Sequence, residues 1–141
     1  MPKGVVKKGI LFLCTGNSCR SQMAEGFSKK HAPKGTKIWS AGVEAHGLNP
    51  RAVQVMKEVG VNISGQCSKT VDSISKEEID TVITVCGHAN ETCPAFMGEV
   101  TRVHWEIEDP VKAQGSEDEI LKVFRKIRDQ LELRVKNFFK A

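Results

Sequence analysis

Cys14, Arg20 and Ser21 follow an apolar run, Ile10-Leu11-Phe12-Leu13, in the order Cys14-Thr15-Gly16-Asn17-Ser18-Cys19-Arg20-Ser21. An apolar strand that stops at a cysteine, a polar loop with one glycine, and a helix-forming segment Gln22-Met23-Ala24-Glu25 make the pattern of an anion cradle. The N–H groups of such a loop converge on one point, and the helix N-terminus adds about half a positive charge there. Arg20 contributes a planar, permanently charged fork suited to a tetrahedral oxyanion. The same field favours a thiolate at the rim, which makes Cys14 the expected nucleophile. A free cysteine at a strand end is more often a small buried apolar residue. The Cys-x5-Arg-Ser spacing behind a strand turns the reading towards catalysis. Thr15, Gly16, Asn17, Ser18, Cys19 and Arg20 are then the anion-holding residues, with the Cys19 side chain turned into the core. Ser21 either hydrogen-bonds Cys14 or caps the helix.

Two further sets carry chemistry. Asp109-Pro110 is a common turn pair. Opposite an oxyanion loop, however, Asp109 is also a natural general acid for an oxygen leaving group. Cys86-Gly87-His88-Ala89-Asn90-Glu91-Thr92-Cys93 admits three readings: two unrelated thiols, a zinc site with His88, or a redox pair. Zinc would lack the usual tight Cys-x2–4-Cys spacing and an evident fourth ligand. A disulfide needs Cα atoms about 5.5 Å apart, so pairing across this segment implies local rearrangement. Cys67 sits in a loop and is assigned no chemistry.

The elements that must position these groups alternate. Val5–Leu13 reads as a buried strand and Arg20 or Ser21 to His31 as a helix, with Met23, Ala24 and Phe27 facing the core. Ala32-Pro33-Lys34-Gly35 breaks it, and Thr36–Ser40 is a second strand. Asn49-Pro50 opens a helix that carries Val53, Met56 and Val59 inward and stops at Gly60. Val61–Val71 is irregular with a turn at Ser64-Gly65, and Ser75-x-x-Glu78 reads as a capping box. Thr81–Val85 is a buried β-branched strand, Gly87–Gly98 a loop or weak helix, and Val100–Trp105 a fourth strand. A capping box at Ser116 and Glu119 opens the final helix, with an apolar stripe of Ile120, Val123, Phe124, Ile127, Leu131, Val135 and Phe138. This alternation predicts an α/β fold, a single domain over residues 1–141 with an open parallel four-stranded sheet flanked by helices on both faces. In such sheets functional groups collect beyond the carboxyl ends of the strands. Cys14–Ser21, Cys86–Cys93 and Asp109 all fall there.

Composition narrows the partners. A net charge of +4 with 27% charged residues suits a small anion and is too weak and scattered for nucleic acid. No apolar run reaches the roughly 20 residues a membrane helix needs, and no signal-peptide pattern is present. A cytoplasmic, monomeric protein is expected, its five cysteines reduced and available for catalysis, redox exchange or metal binding.

Cys14–Ser21 with a late Asp-Pro resembles the low-molecular-weight tyrosine phosphatases. With Gln22-Met23-Ala24-Glu25, Ser40–Pro50 and the Cys86/Cys93 pair added, the chain is similar to the thioredoxin-coupled arsenate reductases of that superfamily, from Ile10 to the final helix. Gln22 stands where phosphatases usually carry proline. The chain has no tyrosine, and Val111-Lys112 follow Asp-Pro where phosphatases place aromatic residues. The resemblance implies a three-cysteine relay: Cys14 attacks arsenate, Asp109 protonates the departing oxygen, Cys86 releases arsenite as a Cys14–Cys86 disulfide, and Cys93 moves it outward to Cys86–Cys93 for thioredoxin. Arsenate is then the substrate, thioredoxin the reductant, and no cofactor or metal is expected. A phosphate-monoester hydrolase is the second reading and an arsenite- or metal-binding thiol module the third. Some family members bind potassium through residues matching Asn17, Glu25 and Ser40. Cys67 and Lys69 replace the two other ligands, so the Lys69 ammonium is expected to neutralise Glu25 instead.

Overall fold

The computed structural model describes residues 9–74, 77–85 and 100–140. Strands β1 (Gly9–Cys14), β2 (Lys37–Gly42), β3 (Thr81–Thr84) and β4 (Thr101–His104) form one sheet of order β2-β1-β3-β4, parallel throughout. Helices α1 (Arg20–His31), α2 (Pro50–Glu58) and α3 (Glu117–Lys140) alternate with or follow the strands. All six residues of β1 are buried. Because successive side chains point to opposite faces, the sheet is covered on both sides at its centre. Among the described residues β4 pairs only with β3, and it is largely exposed, as an edge strand is.

Strand order reverses about β1. The chain leaves β1 towards β2, then returns across it to β3. A crevice therefore opens beyond the carboxyl ends of β1 and β3, where parallel sheets bind ligands. The parallel α/β architecture expected from the sequence is the one observed.

α1 begins at Arg20, and Met23, Ala24 and Phe27 are fully buried as expected. Its buried face also holds Ser21, Gln22, Glu25 and Ser28, so the helix spends part of its core surface on polar groups. Asn49 caps α2 through Oδ1, which accepts from the N–H groups of Arg51 and Ala52, and Pro50 takes the first helical position. α2 is rotated relative to expectation. Ala52, Val55 and Met56 are its buried residues, while Val53 and Val59 are only partly covered. A helix capped at Asn49 places Ala52, Val55 and Met56 on one stripe at i, i+3 and i+4, and that stripe meets the core.

The capping box of α3 is reciprocal: Glu119 N–H donates to Ser116 Oγ and Ser116 N–H to Glu119 Oε1. Phe124, Ile127, Leu131 and Val135 of the expected stripe are buried, together with Leu121. Ile120, Val123 and Phe138 are partly covered. Arg128 joins them because its Nη1 donates to Val55 O and Glu58 Oε1, both at 2.9 Å, which ties α3 to α2. The start of the expected first strand, Ser75 of the expected capping box, and the segment holding Cys86, His88 and Cys93 lie outside the described residues. No described helix is long and apolar enough to cross a membrane.

Candidate active site

β1 delivers Cys14 to the crevice, and residues 15–19 turn back into α1. Every main-chain carbonyl from Cys14 to Cys19 is bonded to another group. Val43 N–H donates to Cys14 O, Glu44 N–H to Thr15 O, His46 N–H to Gly16 O, Asn49 N–H to Ser18 O, and Met23 N–H to Cys19 O, all between 2.9 and 3.1 Å. Gln22 Nε2 donates to Asn17 O. In a trans peptide the N–H points opposite to the carbonyl before it. Turning this row of carbonyls outward therefore turns the N–H groups that follow towards a common centre, which builds the anion cradle from backbone alone. Asn17 shows this directly, its N–H lying 3.2 Å from Cys14 Sγ. It adopts φ +50°, a left-handed conformation that asparagine tolerates.

The segment that takes these carbonyls, Val43 to Asn49, is a functional element that residue chemistry alone missed. Gly42 lets it approach. A Cβ there would lie 2.3 Å from Glu44 O, 2.7 Å from Thr15 O and 2.8 Å from Asn17 N, all backbone atoms. The signal in the sequence was Gly42 at the strand end followed by Asn49 as a helix cap, which brackets the segment.

Cys14 is buried and its Sγ lies 2.8 Å from Ser21 Oγ, so the hydrogen-bonding reading of Ser21 holds. Asn17 Nδ2 donates to Ser21 Oγ and Ser40 Oγ, and Ser40 Oγ donates a hydrogen bond to Glu25 Oε1. Cys19 is also buried, and desolvation pushes its thiol up to about 12. It therefore stays protonated at neutral pH.

Arg20 Nη1 donates to Val85 O at 3.3 Å and Ile107 O at 3.0 Å, so the guanidinium is pinned between the end of β3 and the chain leaving β4. Its Nη2 lies 3.5 Å from Asp109 Oδ2, with the two side chains 10% and 28% exposed. Asp109 is the turn residue expected, and it also lies at the cleft. Oδ1 accepts from Val111 N–H and caps the short 3-10 turn Pro110–Lys112, while Oδ2 faces Arg20 and the cleft. The cleft encloses about 560 Å³ and is lined by Cys14, Thr15, Gly16, Ser18, Cys19 and Arg20 on one side and Glu106–Asp109, Val111 and Lys112 on the other, with His46 at the edge. None of these is phenylalanine, tyrosine or tryptophan.

Lys69 does not neutralise Glu25. Its Nζ donates to Cys67 O, while Lys29, one helical turn beyond Glu25, places its ammonium 2.6 Å from Glu25 Oε2. The local i, i+4 pair is geometrically available as soon as α1 forms, and it takes the carboxylate. Cys67 is exposed. Cys86 and Cys93 lie outside the described residues, so the structure does not place them against Cys14.

With Cys14 below the cradle and Asp109 across it, Asp109→Asn is expected to keep anion binding and to slow displacement of oxygen from the anion by about 10²-fold. Steady-state kcat with unchanged phosphate affinity by calorimetry checks this. A loss of affinity equal to the loss of rate would make Asp109 a binding residue instead.

The family model for low molecular weight phosphotyrosine protein phosphatases matches residues 9–141. The arsenate reductase of Halalkalibacterium halodurans is 52% identical over 132 residues, covering 94% of this chain and 95% of the relative. That of Bacillus subtilis is 51% identical over 131 residues, covering 93% and 94%. An arsenate reductase solved in a phosphate-binding state superposes with a TM-score of 0.81 at 36% identity, covering 94% of this chain and 97% of the other. The Erwinia amylovora tyrosine phosphatase amsI, at 24% identity and a TM-score of 0.80 over 99% and 95% of the two chains, shares the fold. A cysteine–arginine cradle at the switch point of a four-stranded parallel sheet, in a chain so related, places this protein in the low molecular weight phosphotyrosine protein phosphatase family, among its arsenate reductases.

Proposed function

We propose that this chain reduces arsenate to arsenite through a three-cysteine relay that thioredoxin recharges. The observation that carries the reading is a buried thiol, Cys14, beneath a closed cradle of main-chain N–H groups and Arg20, with a carboxyl opposite. Arsenate is a tetrahedral oxyanion of the size such a cradle takes. Cys14 Sγ attacks arsenic, an S–As bond forms, and Asp109 gives a proton to the oxygen that leaves as water. Cys86 thiolate then attacks Cys14 Sγ. The S–S bond forms, the S–As bond breaks, and its electron pair stays on arsenic, which leaves as arsenite. Cys93 displaces Cys14 from Cys86, so the two oxidising equivalents end as a Cys86–Cys93 disulfide that a dithiol protein of the thioredoxin type reduces.

The alternative of phosphate-monoester hydrolysis shares the cradle. Among the described residues, a cleft wall without phenylalanine, tyrosine or tryptophan favours a bare oxyanion over an aryl ester. We also read the reaction as independent of potassium and of any cofactor. In support, the acceptors that a cation would use are engaged: Glu25 by Lys29 and Ser40, and Asn17 Oδ1 by Gln22 and the Lys69 N–H.

The test is consumption of NADPH by thioredoxin reductase and thioredoxin in the presence of the protein and arsenate. Stoichiometric arsenite release is expected, with none when thioredoxin is omitted. Arsenate-independent hydrolysis of aryl phosphates, with no NADPH consumed, would replace the reductase reading by the phosphatase one.

A further inference from the structure

Behind the anion loop lies a chain of carboxamides, none of which lines the cleft. Gln22 is fully buried. Its Nε2 donates to Asn17 O at 3.1 Å, to Asn17 Oδ1 at 3.0 Å and to Cys67 O at 3.0 Å. Gln66 Nε2 donates in turn to Gln22 O at 3.0 Å and Gln22 Oε1 at 2.7 Å. The Lys69 N–H donates to Asn17 Oδ1 at 2.9 Å.

The two ends of a carboxamide differ little in size, and their partners decide which end goes where. Here each orientation is set by a main-chain group whose polarity cannot be reversed. The carbonyls of Asn17 and Cys67 demand the NH2 end of Gln22. The carbonyl of Gln22 demands the NH2 end of Gln66. The N–H of Lys69 demands the oxygen of Asn17. With its oxygen held on that side, Asn17 presents NH2 to Ser21 Oγ and Ser40 Oγ, both at 2.9 Å.

The bonds from Asn17 occupy an acceptor site on each serine and bias where its own proton points. Ser40 accepts from Asn17 and its own proton goes to the Glu25 carboxylate. Ser21 accepts from Asn17, and its proton is left for the Cys14 sulfur at 2.8 Å. A hydroxyl that donates to sulfur stabilises a thiolate, whereas one that accepts from it stabilises a thiol. The direction of that one hydrogen bond is therefore biased from two residues away from the sulfur.

We propose that Gln22, whose amide oxygen accepts from Gln66, is a positioning residue for the nucleophile: together with the Lys69 N–H it holds the Asn17 carboxamide so that Ser21 donates to Cys14 rather than accepts from it. The proposal rests on Cys14 being the attacking sulfur. It gives Gln22 a role beyond helix packing, because an apolar side chain of similar length fills the same space without setting any polarity.

The test is alkylation of the full chain by iodoacetamide, with Cys14 followed by peptide mass spectrometry, in wild type, Gln22→Met and Gln66→Met. In Gln22→Met at pH 6.5, Cys14 is expected to react about three- to tenfold more slowly, the worth of part of one charge-assisted hydrogen bond. At pH 9.5, above the ordinary thiol value of about 8.5, the difference is expected to vanish. Affinity for inorganic phosphate should fall by less than the alkylation rate at pH 6.5, since Gln22→Met frees only the Asn17 carbonyl while the other five carbonyls of the loop keep their donors. Gln66→Met, at a half-buried site that tolerates the change even where Gln22→Met does not fold, should act in the same direction and more weakly. Unchanged alkylation at pH 6.5 in both variants overturns the proposal. So does an equal slowing at both pH values, which would indicate a displaced loop. A wild-type Cys14 no faster than exposed Cys67 would remove the nucleophile reading and the proposal together, whereas a fast wild-type Cys14 with unaffected variants removes the proposal alone.

Discussion

Cys14→Ser is expected to abolish arsenate turnover, by at least about 10⁴-fold, while anion affinity changes little. The reaction must take two electrons from the protein, and a serine ester of arsenate has none to give because it cannot end as a disulfide. The hydroxyl is also a weak nucleophile at neutral pH. Binding depends on different atoms. The carbonyls of residues 14–19 remain tied to Val43, Glu44, His46, Asn49, Gln22 and Met23, so the cradle N–H groups keep their direction. Arg20 stays pinned by Val85 O and Ile107 O. Calorimetry with phosphate should give a dissociation constant within about threefold of wild type. Arsenite release measured with the thioredoxin system should be at background. Residual turnover above that background would move the first attack to another thiol.

Arg20→Lys should cost about 10²–10³ in kcat/KM, the usual consequence of removing an aimed donor from an oxyanion site. The substitution preserves charge and loses the fork. In the native protein one guanidinium bonds two carbonyls on Nη1 and still faces Asp109 through Nη2, on a side chain 10% exposed. A lysine ammonium is a single point on a flexible stem and cannot span those three directions and an oxyanion at once. Both KM and kcat should suffer, because the same edge that holds the ground-state anion faces the departing oxygen. Leaving Val85 O and Ile107 O short of a donor should also lower stability by about 1–3 kcal/mol, read as a fall of a few degrees in Tm. Activity within tenfold of wild type would show that charge alone is sufficient at this position.

Much of the fold is local and was legible for that reason. β1 ends where the apolar run ends, and α1 begins at Arg20. The caps at Asn49 and Ser116 are read within four residues of chain. The chemistry-bearing set Cys14, Arg20, Ser21 and Asp109 was legible because strands that alternate with helices put their carboxyl ends at one edge of the sheet. What residue types could not reveal is contact at a distance. Lys69 N–H reaches Asn17 across 52 residues and Ser68 Oγ reaches Gly16 O across the same span, and neither pairing leaves a periodic trace. Glu25 is the opposite case: its partner Lys29 stands one helical turn away and is legible in the sequence, whereas the family pattern points to the remote Lys69. The buried face of α2 shifts from Val53 and Val59 to Ala52 and Val55, with Met56 common to both, although the cap falls at Asn49 as expected, so packing against the core sets it.

The separation of the cradle's partners in the chain also bears on how the protein matures. Cys14 obtains its surroundings from residues near 40–49, from 66–69 and, through Arg20, from Ile107, with sequence separations up to 87. Parallel strands close such loops late, because loop entropy is lost before any pairing rewards it. In a nascent or half-folded chain Cys14 is thus an ordinary cysteine among five. The surroundings proposed to make it the nucleophile are complete only when the last segments dock. On that proposal, the rate at which Cys14 gains reactivity during refolding is a clock for completion of the native sheet.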